Sequence, residues 1–391
     1  GLTVRRKILA ITLASMLVLS SCGSSEQVKK ETTDISQTKE EARYESKEMS
    51  LPDPLQTANA SASDYLGASF EGFVADLQGK PAVYSSDFTL EDDEFNATIS
   101  RWTLDEKGNW ESDELCDVSL SEFLNNKYEQ KEWTRCKVQN FRRGDNGNLY
   151  AVFVYYEKAD IEVNGEVTDG IAEKYSILEI DEENDSVYEI PLEAAPAVKE
   201  DFGKREAWEV DWITDYHVYE DGNILLICGE SGGGYGYYID GETGKTLNDL
   251  GSVISSKTRF AYGESELIFY SKGLKSFQVL GIPDLEEQNK FGSSLGDDVL
   301  GKEWYFYMNP DDWKLYLFNG DTVYQAANYQ NSEELEPLTS ATTFDDLAQG
   351  QATVMDFFVG DNEDYYICLV ETTEEYGMES SSYRMVHYTK A

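Results

Sequence analysis

His217 and His387 are the two histidines of the 391-residue chain, so a Ser-His-Asp or Cys-His mechanism would have to choose between them. Both lie in strand-like segments, Asp215-Tyr216-His217-Val218-Tyr219 and Tyr383-Arg384-Met385-Val386-His387-Tyr388, where the expected role is structural. No Gly-x-Ser-x-Gly elbow occurs. Paired carboxylates could do glycosidase chemistry, but 75 Asp and Glu make such pairs unavoidable by chance, and nothing singles one out. The run Gly232-Gly233-Gly234-Tyr235-Gly236 lacks the third fingerprint glycine and is followed by a strand where a dinucleotide site needs a helix. A flexible hairpin is the better account. On such a mobile loop Tyr235 and Tyr237 are the candidate ligand-binding residues, because aromatic faces stack on a sugar or a peptide; ordinary packing is the alternative. The turn Asp181-Glu182-Glu183-Asn184-Asp185 has oxygen ligands but neither the glycine nor the bidentate glutamate of a calcium loop. The residues nominate no catalytic group, no metal ligand and no cofactor, and the protein is expected not to be an enzyme.

Charge and composition narrow the partners. With 32 Lys and Arg against 75 acids the formal charge is −43, which excludes nucleic acid and disfavours an anionic lipid surface. The chain is not disordered throughout, since 40% of it is hydrophobic and it carries 26 Tyr, 17 Phe and 7 Trp. The N-terminus has its own signature. Arg5-Arg6-Lys7 precedes an almost unbroken apolar run from Ile8 to Leu19, too short to span a bilayer, so residues 1–21 are expected to be a signal peptide. Their removal takes three positive charges and no negative ones, leaving −46.

Leu19-Ser20-Ser21-Cys22 resembles a bacterial lipobox. The resemblance implies cleavage before Cys22 and a lipid on that cysteine. The protein would then sit on the extracytoplasmic face of a bacterial cell membrane, anchored through Cys22. Residues 22–62 are polar and low in complexity, and are expected to form a disordered tether. Of the remaining cysteines, Cys116 and Cys136 are the nearest pair for a disulfide that export would permit, while Cys228 and Cys368 lie in apolar runs that suit buried thiols.

The body, residues 63–391, repeats one pattern: a polar turn followed by a short run apolar at both parities. Asn148, Asn223, Glu266, Lys314 and Asp364 each precede such a run, at intervals of 75, 43, 48 and 50 residues. Runs apolar on both faces are strands covered on both sides. The long first interval contains a polar excursion from Lys158 to Lys174 that is expected to be an inserted hairpin or loop. Turns such as Asp105-Glu106-Lys107-Gly108-Asn109 and Asp240-Gly241-Glu242-Thr243-Gly244-Lys245 mark a second strand per unit.

This spacing resembles WD40-like and YVTN-like bacterial propellers, and implies an all-β propeller of about six blades. Helical periodicity over residues 65–77 and 120–128, with a shorter turn over 343–347, predicts connectors on that body. The terminal strand around Tyr383–Tyr388 would either close the ring or mark a fragment with a further domain. The function expected is a surface binding or interaction protein recognising an extracellular ligand or protein through propeller loops. The alternatives are the front part of a solute-binding lipoprotein of an importer and, less favoured, a propeller-type surface hydrolase.

Overall fold

The computed structural model describes residues 42–60, 74–91, 94–119, 137–193, 198–201, 212–230, 233–251, 259–331, 334–349 and 352–391. All of them fall within residues 41–391, the larger of the two compact units into which the chain divides. Strand β1 is Tyr44–Glu48, and a helix, α1, comes next at Asp53–Ala60. Four strands then form a first sheet, β2 Val74–Leu77, β3 Lys80–Glu91, β4 Glu94–Leu104 and β5 Trp110–Ser119. The second sheet has β6 Lys137–Arg143, β7 Leu149–Val163, β8 Glu166–Asp181 and β9 Ser186–Pro191, with β10 Val198–Asp201 also paired to β8. The third is β11 Trp212–Val218, β12 Ile224–Glu230, β13 Gly233–Ile239 and β14 Thr246–Gly251. The fourth is β15 Ala261–Tyr262, β16 Glu266–Ser271, β17 Ser276–Gly281 and β18 Glu286–Phe291. After a short helix, α2 Asp297–Leu300, the fifth is β19 Tyr305–Met308, β20 Leu315–Phe318, β21 Val323–Ala326 and β22 Glu336–Pro337. The sixth holds β23 Thr353–Val359, β24 Tyr365–Glu375 and β25 Met378–Lys390, with β1 completing it beside β25.

Six antiparallel meanders in sequence order, each with its first strand innermost, make a six-bladed β-propeller. The core lies in the seams between blades. One apolar cluster joins blades 1 and 2 around Phe141 and Phe153, a second joins blades 2 and 3 around Tyr216 and Leu226, and a third joins blades 3 and 4 around Leu225 and Leu267. A fourth fills blades 4 and 5 around Phe277 and Leu317. The largest runs from blade 5 through blade 6 to Val83 of blade 1, and takes in Leu55 of α1. The second strands carry these seams because both their faces are covered: Leu149–Val154, Ile224–Cys228 and Leu315–Phe318 are buried at every residue.

The turn between the first two strands is built alike in several blades. A backbone bond closes it, from Gly144 N to Asn148 O, from Tyr219 N to Asn223 O, or from Asn309 N to Lys314 O. Within it an Asx side chain accepts from the amide two residues on, as in Asn148 N to Asn146 Oδ1, Asn223 N to Asp221 Oδ1 and Lys314 N to Asp312 Oδ1. That chemistry underlies the polar turns of the sequence pattern.

Several expectations are corrected. The tether does not extend to residue 62, because Tyr44–Glu48 is a strand of blade 6 and Asp53–Ala60 is helical. An isolated polar pentapeptide has no reason to be a strand; the open edge of β25 supplies one, pairing Tyr44 with Lys390 through Glu48 with Val386. Val74–Leu77 is also a strand where a helix was expected, since pairing with β3 overrides its helical spacing. The helical expectations over 65–73 and 120–128, residues 1–41 with Cys22, and Cys136 lie outside the described residues. The excursion from Lys158 to Lys174 is a hairpin, with Asn164 and Gly165 at its tip. A 3-10 turn occupies Asp345–Gln349.

Candidate functional site

Both histidines are held by aspartates. His217 Nε2 is 2.9 Å from Asp145 Oδ2 across the seam between blades 2 and 3, and its ring lies flat on Tyr262 with centroids 4.5 Å apart. His387 Nε2 is 2.6 Å from Asp364 Oδ2, and its ring stacks on Tyr366 at 4.0 Å. Burial works to raise the Asp364 carboxyl, but the hydrogen bond and charge of His387 outweigh it and hold it below its ordinary value. Cys116, Cys228 and Cys368 are all buried. Burial pushes the Cys116 thiol up to about 12 and Cys368 well above its ordinary value, so neither supplies a thiolate at neutral pH. In the turn at Asp181 the carboxylate accepts from the amides of Glu183 and Asn184 and from the Asn184 side chain, which uses it in the turn itself.

Tyr235 and Tyr237 are not on a mobile loop. Both belong to β13, opposite Cys228 and Leu226 of β12, and both are half-buried. Tyr237 packs against the seam of blades 2 and 3. The glycines belong to the third strand of the blade, which starts at Gly233.

Charged groups that the sequence pattern did not reveal converge on the ring axis. Asp215 of blade 3 accepts from Tyr262 OH of blade 4 at 2.8 Å and from the Tyr216 amide at 2.9 Å, and Arg142 of blade 2 lies 3.6 Å away. The charge of Asp356, on the inner strand of blade 6, also acts on Arg142. Burial works against the Arg142 charge, while Asp215 and Asp356 hold the guanidinium charged. Its side chain still keeps 35% of its exposure, so water reaches it. Arg259, just before β15, donates to Met355 O at 3.0 Å and lies 4.4 Å over the Tyr305 ring. Asp76 of blade 1 accepts from the Gly79 amide at 2.9 Å and from Tyr307 of blade 5.

Asp76 gives the hub a pH dependence. Burial, the leading cause, raises its carboxyl to about 6 against those hydrogen bonds and the Arg143 charge. A folded value above the unfolded one means that the folded chain binds the proton more tightly. This group's contribution to stability is therefore full below about pH 4 and is lost as pH rises through 6. At about 1.4 kcal/mol per unit the ceiling is about 3 kcal/mol, reduced by the water that reaches a half-buried group. Asp76→Asn is expected to raise the melting temperature at pH 7–8 and leave it unchanged near pH 4. Melting curves of both proteins from pH 4 to 8 that stay parallel would contradict this.

The two faces of the ring differ. In an antiparallel meander the turns after the first and third strands lie at one end of the blade, and the hairpin joining the second and third strands lies at the other. On that hairpin face blades 6, 1 and 2, which are consecutive around the ring, carry the longest hairpins among the described residues. Among the described residues, inner-strand pairing stops at Val83 in blade 1, Val154 in blade 2 and Val370 in blade 6. The hairpins continue to Glu91–Glu94, Val163–Glu166 and Glu375–Met378. Counted whole, the second and third strands pair over 9, 15 and 11 residues in blades 1, 2 and 6, against 7, 6 and 4 in blades 3, 4 and 5. In blade 5, by contrast, β20 and its inner strand end together at Phe318 and Tyr305.

No family model and no curated protein matches the chain. Solved structures do resemble it. The Dos1 propeller is 8% identical, with 82% of this chain and 93% of that chain covered and a TM-score of 0.36. The WD40 propeller domain of Doa1 is 8% identical over 82% of this chain and 98% of that one, at a TM-score of 0.32. An α-L-arabinofuranosidase of Fusarium graminearum is 8% identical over 82% and 92%, at 0.40. At such scores the likeness decides nothing about site or activity, and the propeller fold of this chain rests on its own strand order.

Proposed function

We propose that this protein is a lipid-anchored binding protein of a bacterial surface, held through Cys22 on the extracytoplasmic face of the membrane, which recognises an extracellular ligand or surface protein with the hairpin face of its propeller. The observation that carries the reading is the length of three consecutive hairpins. A ring built for packing alone has no need of it. A non-enzymatic role is supported by the burial of the three described thiols. Loops and hairpins on a rigid scaffold are where recognition concentrates.

Two measurements test it. Cys22→Ala is expected to move the protein from the membrane fraction to soluble or unprocessed material; unchanged fractionation would refute the anchor. Thermal-shift screening against glycans and peptides should find ligands whose effect disappears when the blade 2 hairpin is shortened to the length of the blade 3 hairpin. An undiminished shift would place recognition elsewhere.

A further inference from the structure

The inner strands of blades 2, 3 and 6 share an irregularity. In β6 the pairing steps from Gln139 opposite Val152 to Arg142 opposite Tyr150, in β11 from Ile213 opposite Cys228 to Asp215 opposite Ile227, and in β23 from Val354 opposite Leu369 to Asp356 opposite Cys368. Each step admits one extra residue on the inner strand, a β-bulge, and in each the first residue to resume pairing is charged. The pairing of β2, β15 and β19 runs without a shift. A bulge disrupts the ladder locally and re-aims the side chains beside it. Carbonyls of the bulged residues are then taken up by the same group of side chains. Tyr216 OH donates to Asn140 O at 2.5 Å, Arg142 Nη1 to Phe141 O at 3.0 Å and Arg259 Nη1 to Met355 O at 3.0 Å. Asn140 itself holds a φ of +53°, a left-handed conformation that costs energy at a residue other than glycine.

These bulges assemble an arginine with donors to spare. Asp215 is committed elsewhere, since its Oδ1 accepts from the Tyr216 amide and its Oδ2 from Tyr262 OH. It lies 3.6 Å from Arg142 Nη2, too far for a hydrogen bond. Among the described residues the guanidinium makes one hydrogen bond, to Phe141 O, out of the five N–H groups it offers. Arg142 is enclosed by protein, yet 35% of its side chain is reached by water. An enclosed, wetted fork of this kind matches the two oxygens of a carboxylate.

The surrounding charge limits which carboxylate can enter. Asp215 and Asp356 both act on Arg142, and the whole chain carries −43, so a simple anion is repelled. A molecule that brings its own cation is not. Its carboxylate faces Arg142 while its ammonium faces the aspartates, because a carboxylate oxygen accepts more than one hydrogen bond. We propose that Arg142, Asp215 and Asp356 form a binding site for a free amino acid in its zwitterionic form, with the carboxylate on the Arg142 guanidinium and the ammonium toward Asp215 and Asp356. The site goes beyond the hairpin reading and depends on neither the hairpins nor the Cys22 anchor, so the two stand or fall separately.

The probes are the standard L-amino acids, screened singly against the full chain by thermal shift, with binders titrated by calorimetry beside their N-acetyl and amide derivatives. At least one amino acid is expected to raise the melting temperature, and to lose at least about tenfold in affinity when either charged end is blocked. Arg142→Lys keeps a positive charge beside the aspartates and removes the fork, so it is expected to fold and to bind at least about tenfold more weakly. A second measurement needs no altered protein. Phenylglyoxal modification of arginines, mapped by mass spectrometry, is expected to slow at Arg142 when the amino acid is bound and to stay unchanged at Arg384, which is exposed beside Glu48. The proposal is overturned if no amino acid binds, if a blocked derivative binds as tightly as its parent, or if affinity is indifferent to Arg142→Lys. Equal modification of Arg142 with and without the amino acid would overturn it as well.

Discussion

Deleting residues 42–50 is expected to abolish the folded ring, leaving a chain that aggregates or melts at least about 10 °C lower. Those residues contain β1, which pairs with β25 along all five of its residues. Met49 N donates to Met385 O and Ala391 N to Arg43 O, extending the ladder at both ends. Tyr44 donates to Glu363 O at 3.1 Å and packs against Tyr365, while Arg384 takes Glu48 in two bonds of 2.8 and 3.3 Å. At about 1 kcal/mol net per ladder bond, and with the Tyr44 ring added, the loss is about 5 kcal/mol. That is comparable with the whole stability of an ordinary domain. The deletion also bares the long outer edge of β25, an invitation to edge-to-edge association. Size-exclusion chromatography with thermal unfolding decides the matter. A monomer melting as before would show that β1 does not complete blade 6.

Gly79→Ala is expected to cost at least about 3 kcal/mol in chemical denaturation, against about 1 kcal/mol for Gly165→Ala. Both glycines have φ near +80°, so both substitutions carry the same left-handed penalty, on the order of 1 kcal/mol. They differ in their surroundings. A Cβ on Gly165 meets nothing within 4 Å, whereas one on Gly79 would lie 2.2 Å from the Val359 carbonyl oxygen and 3.0 Å from the Gly360 Cα. Those are backbone atoms of blade 6 against the first turn of blade 1, and neither sheet can give way without opening the seam. Equal losses at the two positions would show that blades 1 and 6 do not close on each other there.

The fold was legible to the extent that it depends on strands buried on both faces. LYAVFVYY, ILLIC, LIFY, LYLF and YYICLV became β7, β12, β16, β20 and β24, the second strands of five blades. Their partners were harder to see. Inner strands such as Ala261–Tyr262 and outer ones such as Glu336–Pro337 are two residues long, and β1 is a polar segment whose strand state comes from its neighbour. Local periodicity carries no information about an edge supplied more than three hundred residues away.

The site was less legible. The tyrosines flanked by glycine were expected on a loop because glycine usually marks one, but pairing with β12 draws them into the sheet. The hub acids and arginines stand on inner strands of different blades, and only the closed ring brings Arg142, Asp215 and Asp356 together. The polar excursion from Lys158 to Lys174 did signal the longest hairpin.

Hydrogen–deuterium exchange of the full chain with and without a ligand found by the thermal-shift screen tests most directly the claim that recognition belongs to the long hairpins of blades 6, 1 and 2. Protection is predicted over residues 84–96, 155–174 and 371–382, with unchanged exchange in the opposite-face turns at 105–109, 181–185 and 240–245. Protection of those turns, or protection spread evenly around the ring, would contradict it.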